Sequence, residues 1–276
     1  MKIAWATDIH LNCADRKTAE NFCERILQRE PEILLVGGDI AEANDLVSWL
    51  QFLADRLVLP IYFVLGNHDY YGSSIAVVRD EVRRIQSEWL HWLPRAGVVS
   101  LTPRVGLVGH GGWGDARCGD FCNSTVMLSD YFLIEDLRVI GKPGVPFGGL
   151  DTSKAPLKSK LEELGHDAAR SLQPLLAEAL ARFPEVIVLT HVPPFQEACW
   201  YRGRISDPAW LPDFTCQAIG DSLITEISAR PDRQVTVLCG HTHGNGESWP
   251  LANLQVRTGG AEYGKPDFQI IDLQNG

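Results

Sequence analysis

The feature that most constrains this chain is a set of five short polar motifs, each directly after an apolar run. The runs at residues 3–7, 33–37, 61–65, 186–190 and 235–239 are predicted β-strands. The motifs that follow them are Asp8-Ile9-His10, Gly38-Asp39, Gly66-Asn67-His68-Asp69, His191 and His241-Thr242-His243. In open α/β sheets ligands bind beyond the carboxyl ends of the strands, so these motifs predict one polar site at a sheet edge.

Helical patterns alternate with the apolar runs, which indicates an α/β fold. Apolar spacing and capping residues predict helices at residues 15–28, 45–57, 74–92, 157–182 and 221–229, the fourth of them kinked or split at Pro174. Closing strands are predicted at residues 254–258 and 268–273, and glycine-rich loops and short strands between residues 106 and 150. The sequence contains no evident linker or internal repeat, so we predict a single domain over residues 1–276.

Composition narrows the class of protein. A chain of 276 residues with 45% hydrophobic and 22% charged residues is typical of a soluble globular protein that buries its own core. A net charge of -10 disfavours nonspecific binding to nucleic acid, although it does not exclude a local basic groove. Seven cysteines without paired spacing, no targeting segment and no long apolar stretch predict a cytoplasmic location and no membrane association. Nothing in the sequence indicates an oligomeric state.

Each motif alone allows a structural interpretation without chemistry. Asp8 and His10 could cap a strand end, Asp39 could cap a helix, Gly66 to Asp69 could form a turn, and His241 and His243 could lie in a polar loop. All five in one chain, each after a strand, favour metal binding instead. Mixed carboxylate and imidazole ligands suit divalent Mn, Fe, Zn or Mg, whereas a thiolate-rich site would indicate zinc or iron–sulfur.

The motif series resembles that of the calcineurin-like metallophosphoesterases, from Asp8 to His243. The resemblance implies a four-layer α/β/β/α sandwich of two mixed β-sheets flanked by helices, with two divalent metal ions at one edge. It also implies how the ligands are divided. Asp8, His10 and His243 would bind the first ion, Asn67, His191 and His241 the second, and Asp39 would bridge both.

The implied activity is hydrolysis of a phosphate ester by a metal-bridging hydroxide. Two divalent cations bring four positive charges, and Asp8, Asp39 and a hydroxide remove three, which leaves a site that favours an anionic ester. His68 is not counted among the ligands. We predict that it donates a hydrogen bond or proton to the leaving group and that Asp69 fixes its tautomer.

Further residues are weaker candidates for contact with the substrate. His110 precedes a glycine-rich loop, and Arg202 and Arg204 follow His191 and could bind an anionic group. Three hypotheses about function remain open: a phosphoesterase acting on a small molecule or nucleotide, a DNA or RNA nuclease, and a noncatalytic scaffold. The acidic charge favours the first. Substrate choice is expected to depend on the loops at residues 106–150 and 195–219.

Overall fold

A computed structural model describes residues 1–138 and 154–273 of the chain. The strands are Lys2–Ala6 (β1), Ile33–Gly37 (β2), Ile61–Val64 (β3), Leu90–Trp92 (β4), Val99–Ser100 (β5), Val105–Gly109 (β6), Glu185–Leu189 (β7), Trp200–Tyr201 (β8), Arg204–Ile205 (β9), Gln234–Cys239 (β10), Gly246–Leu251 (β11), Leu254–Thr258 (β12) and Gln269–Asp272 (β13). The helices are Arg16–Leu27 (α1), Leu46–Leu57 (α2), Ile75–Arg84 (α3), Leu93–Ala96 (α4), Asp130–Leu133 (α5), Ala155–Arg182 (α6), Leu211–Phe214 (α7) and Gln217–Ser228 (α8).

Two mixed sheets form the centre of the fold. The first has the order β13-β1-β2-β3-β4 and the second the order β11-β12-β10-β7-β6-β5. Strands β1 to β4 pair in parallel, as do β6, β7, β10 and β12, whereas β13, β11 and β5 are antiparallel edge strands. The carboxyl ends of the parallel strands within each sheet therefore lie at one edge.

The two sheets pack face to face. Their shared core contains Trp5 and Leu35 from the first sheet and Leu107, Leu189 and Leu238 from the second. A second apolar cluster covers the outer face of the first sheet with residues of α1, α2 and α3, and a third covers the second sheet with residues of α6 and α8. The result is the predicted four-layer sandwich.

Local sequence explains why the helices form where they do. Helix α1 begins after Asp15, whose Oδ1 accepts the N–H of Thr18 at 2.7 Å, and buries Phe22 and Ile26 on one face. Helix α3 begins after the predicted cap Ser74. No helix in residues 1–138 or 154–273 has both the length and the apolar content needed to cross a bilayer.

Two details of the predicted elements are wrong. The helix predicted to reach Trp92 ends at Arg84, because residues 90–92 form β4 and pair with β3. Helix α8 begins at Gln217 rather than Asp221. Helix α6 is continuous through Pro174, which excludes the split and leaves the kink as a prediction. The predicted loops and short strands at residues 106–150 include the end of strand β6, and residues 139–150 lie outside the described part of the chain.

Candidate metal centre

The seven predicted ligands come together where the carboxyl ends of the two sheets meet. Asp8 and His10 follow β1, Asp39 follows β2, Asn67 follows β3, His191 follows β7, and His241 and His243 follow β10. Five of the seven are less than 9% exposed, and His241 and His243 are partly exposed. The structure thus gathers side chains from five strand ends into one buried cluster.

Four of these residues form the first half of the cluster. Asp8, His10, Asp39 and His243 each offer a ligand atom, and these atoms lie within 4.8 Å of one another. The Nε2 atoms of His10 and His243 are 3.3 Å apart, and His243 Nε2 is 3.4 Å from Asp8 Oδ1. Ligands about 2.1 Å from a tetrahedral or octahedral ion are separated by roughly 3 to 3.4 Å, so these spacings suit one small cation.

The second half of the cluster is centred on His191. Its Nε2 lies 3.0 Å from Asn67 Oδ1, 3.2 Å from His241 Nδ1 and 3.4 Å from Asp39 Oδ1. Asp39 therefore reaches both halves, since its Oδ2 is 3.8 Å from His10 Nε2. This placement is the one expected of a bridging carboxylate.

Hydrogen bonds on the far side of each ring fix the tautomers of the second half. The Nδ1–H of His191 donates to the carbonyl of Gly37 at 2.9 Å, and the Nε2–H of His241 donates to the carbonyl of Asp213 at 3.1 Å. Carbonyl oxygens only accept, so each neutral ring turns its unprotonated nitrogen toward the cluster. Those two nitrogens, Asn67 Oδ1 and Asp39 Oδ1 then face one another as lone pairs, an arrangement that a cation would stabilise.

The charges of the cluster also fit a cation. Within the described residues, the ion-pair partners of Asp8 and Asp39 are all histidines, and both carboxylates are only 2% exposed. Burial lowers the pKa of His10 to about 4 and of His241 to about 3, which leaves these rings neutral at neutral pH. Buried carboxylates without a positive partner are costly, and divalent cations would compensate them.

The backbone at the ligands is strained in a consistent way. Of the nine non-glycine residues with positive φ in the described ranges, five are predicted ligands: Asp8, His10, Asp39, His241 and His243. Left-handed backbone is uncommon for such residues and concentrates at functional sites. This strain is an independent indication that the cluster serves a function.

His68 lies beside the cluster, and Asp69 does not orient it. His68 Nε2 is 3.9 Å from Asp39 Oδ2, and its ring packs against Tyr71 with 4.3 Å between ring centroids. The Asp69 carboxylate instead accepts N–H groups of Ile40, Ala41 and Gly66 at 2.8 to 3.0 Å. The predicted contact between Asp69 and His68 is therefore wrong, and Asp69 stabilises the turns that carry Asp39 and Asn67.

A cavity of about 460 Å³ opens next to the cluster. Its lining includes the candidate acid His68 and the predicted ligands Asp39, Asn67, His241 and His243, together with residues of both predicted specificity loops. The lining from these loops is Met127, Leu128, Ser129, Asp130, Tyr201, Arg204, Ser206, Asp207, Trp210 and Phe214. Both loops therefore reach the space that a substrate would occupy.

The three predicted substrate contacts have different surroundings. Arg204 lines the cavity and pairs with Asp207 at 3.5 Å. Arg202 is exposed in the turn between β8 and β9, where its guanidinium lies over the Tyr201 ring, and it does not line the cavity. His110 is buried, accepts the Gly112 N–H at Nδ1, and also lies outside the cavity lining. Of the three, Arg204 is thus the one that lines the cavity, and its contact with a substrate stays a prediction.

Several residues of the site were not predicted from the sequence. Asp130 contacts the Asn67 amide, Tyr71 packs on His68, and the ring of Tyr263 lies 4.4 Å from that of His10. The backbone carbonyl of Asp213 holds His241. None of these residues belongs to a strand-end motif, so the sequence pattern carried no signal for them.

The fold and this site together define a metal-binding α/β sandwich. Residues 1–245 match the sequence profile of the calcineurin-like phosphoesterases, and the chain therefore belongs to that family. Among curated relatives, a probable cyclic nucleotide phosphodiesterase of Xenorhabdus bovienii is 37% identical over 84 residues, which are 25% of this chain and 34% of that protein. The chain matches about a third of the length of the curated relatives.

Solved structures support the fold. A phosphopantetheinyl hydrolase of Mycobacterium tuberculosis aligns with a TM-score of 0.64 at 15% identity, over 96% of this chain and 90% of that one. A dimetal phosphatase of Danio rerio aligns with a TM-score of 0.57 at 12% identity, over 94% and 87% of the two chains. The predicted sandwich of two mixed sheets flanked by helices is confirmed.

Proposed function

We propose that this protein hydrolyses a phosphate ester of a small molecule or nucleotide with two divalent metal ions. The observation that carries the proposal is the set of buried lone-pair atoms from Asp8, His10, Asp39, Asn67, His191, His241 and His243, which converge beside an open cavity. Divalent cations held there would supply Lewis acidity and lower the pKa of a bound water.

We assign to His68 the role of assisting departure of the leaving group. It lines the cavity next to the cluster without belonging to either half of it. Burial, together with the neighbouring histidines His10 and His191, lowers the pKa of His68 to about 3, so the ring is neutral at neutral pH. A neutral imidazole still donates one N–H, which favours hydrogen bonding to the departing oxygen over full proton transfer from an imidazolium.

The cavity lining favours a small organic ester. Tyr201, Trp210 and Tyr263 line the cavity with 43%, 40% and 51% of their surface exposed, so their rings are available to contact an apolar or flat group of the substrate. Arg204 is the one Arg or Lys among the residues described as lining this cavity, and it already faces Asp207. This lining lacks the basic track that nucleic acid requires, so we place a nuclease second.

Chromogenic esters test the proposal. Purified protein, treated with chelator and then supplied with Mn²⁺, should hydrolyse bis-p-nitrophenyl phosphate or p-nitrophenyl phosphate, and chelator should abolish the activity. Single-stranded and duplex nucleic acids serve as the competing substrates, and faster cleavage of these would favour the nuclease. Two bound metal ions without turnover of any ester would favour a noncatalytic scaffold and contradict our proposal.

A further inference from the structure

An asparagine can bind a cation only through its side-chain oxygen, yet its amide can rotate to present nitrogen instead. In this structure the Asn67 amide is held in one orientation. Its Nδ2 donates to Asp130 Oδ1 at 2.9 Å, which leaves Oδ1 directed at His191 Nε2, 3.0 Å away. Asp130 Oδ1 is a hydrogen-bond acceptor here, which pairs with the NH₂ of an amide and not with its oxygen, so Asp130 selects the amide orientation in which oxygen faces the cluster.

Asp130 is also connected to the neighbourhood of His68. The hydroxyl of Tyr71 donates to the same Asp130 Oδ1 at 2.7 Å. The Tyr71 ring in turn lies against the His68 ring, with 4.3 Å between centroids and 30° between planes. Asp130 is 3% exposed, so water competes little for these hydrogen bonds.

We propose that Asp130 is a positioning residue. It fixes the Asn67 oxygen toward the second metal ion and, through its hydrogen bond with Tyr71, holds the Tyr71 ring against the ring of His68. The inference rests on the proposed function, because it requires the cluster to bind metal. Asp130 belongs to the segment that also supplies Met127, Leu128 and Ser129 to the cavity wall. One carboxylate thereby links this wall to both a metal ligand and the candidate leaving-group donor.

Metal binding, measured separately from hydrolysis, tests the role of Asp130. In Asp130→Asn the new amide no longer compels Asn67 to present its oxygen. Titration calorimetry of the wild type with Mn²⁺ should show two binding events, and the variant should lower the affinity of the weaker event about 10- to 100-fold while the affinity of the tighter event is retained. Asp120→Asn is the matched control, because Asp120 is exposed, lies like Asp130 between β6 and α6, and has a carboxylate that bonds only to Asn123 among the described residues. It should bind Mn²⁺ like the wild type.

An exchange of the two residues gives a sharper test. Asn67→Asp alone places a second carboxylate against Asp130, so repulsion should weaken binding. In the double variant Asn67→Asp, Asp130→Asn, the amide at 130 can donate to the carboxylate at 67, and Mn²⁺ affinity should recover above that of either single variant. A merely structural role for Asp130 predicts no such recovery.

The possible outcomes separate this inference from the proposed function. If the wild type binds no Mn²⁺, the proposed function fails first. If the wild type binds two ions and Asp130→Asn binds both equally well, the positioning role is refuted. It is also refuted if Asn67→Asp gains Mn²⁺ affinity and the added Asp130→Asn change raises that affinity no further. Thermal unfolding of each metal-free variant identifies any that does not fold, and in that case the double variant, which restores the hydrogen bond, decides the question.

Discussion

Gly240 provides a test of the site that changes none of the predicted ligands. It joins β10 to His241, and a Cβ at this position would lie 2.0 Å from Asp8 Oδ2 and 2.0 Å from Thr7 Oγ1. Carbon and oxygen normally approach to about 3.3 Å, so Gly240→Ala would displace the Asp8 carboxylate by roughly 1.3 Å if Asp8 alone moved. Metal–ligand distances tolerate only about 0.2 Å, and we therefore expect the ion bound by Asp8 to be lost.

Overpacking should also cost stability, by about 1–3 kcal/mol. A matched control separates the two effects, because Gly106→Ala crowds a buried strand glycine against Phe183 Cδ2 at 2.6 Å, away from the cluster. Both variants should unfold at lower temperature without metal, but only Gly240→Ala should lose bound metal by elemental analysis and lose activity. Retention of two ions and wild-type turnover by Gly240→Ala would refute the placement of Asp8 in the site.

Three further predictions concern the proposed roles. Asp39→Asn removes the carboxylate that reaches both halves of the cluster, so both ions and all activity should be lost; elemental analysis with two retained ions would contradict the bridging assignment. His68→Ala should keep both ions and slow hydrolysis by about 10²- to 10⁴-fold with poor leaving groups, but less with good ones, and an equal loss across a series of aryl esters would exclude the leaving-group role. Burial, with the charges of Asp8 and Asp69, raises the pKa of Asp39, and Asp8 raises the pKa of His243 although burial opposes it. Each raised pKa lets protons compete with metal at a higher pH than for the free group, so metal affinity should fall as the pH is lowered, and calorimetry in buffers of different ionisation enthalpy should detect proton release on binding at acidic pH.

The sequence was most informative where one strand end delivers one polar motif. Asp8, Asp39, Asn67, His191 and His241 each follow a buried apolar strand, and parallel pairing brings together the ends of β1, β2 and β3 in one sheet and of β7 and β10 in the other. Within each sheet, the rule that ligands bind at the carboxyl ends of parallel strands is enough to group the motifs. Joining the two groups also depends on the relative orientation of the two sheets, which the sequence pattern does not reveal.

Prediction failed where nonlocal contacts decide the structure. The apolar residues at 90–92 fit a helical pattern, but pairing with β3 makes them a strand. Asp69 is adjacent to His68 in the chain, yet the short helical turn at residues 68–70 directs its carboxylate toward the N–H groups of Ile40 and Ala41. Asp130 lies 63 residues from Asn67 and begins the short helix α5, in a part of the sequence with no periodic pattern, so no local signal could associate the two.

The strained backbone of the ligands is supported by neighbouring ligand loops. The N–H of Asp8 donates to the carbonyl of Gly38, the N–H of His10 to the carbonyl of Asp39, and the N–H of His241 to the Asp8 carboxylate, all at 2.9 to 3.0 Å. The N–H of His68 donates to Asp39 Oδ1 at 2.9 Å. Left-handed backbone costs an ordinary residue about 1–2 kcal/mol, and these bonds between loops offset part of that cost. The polypeptide itself therefore holds the ligands in place, and metal ions would enter a site whose geometry is already formed.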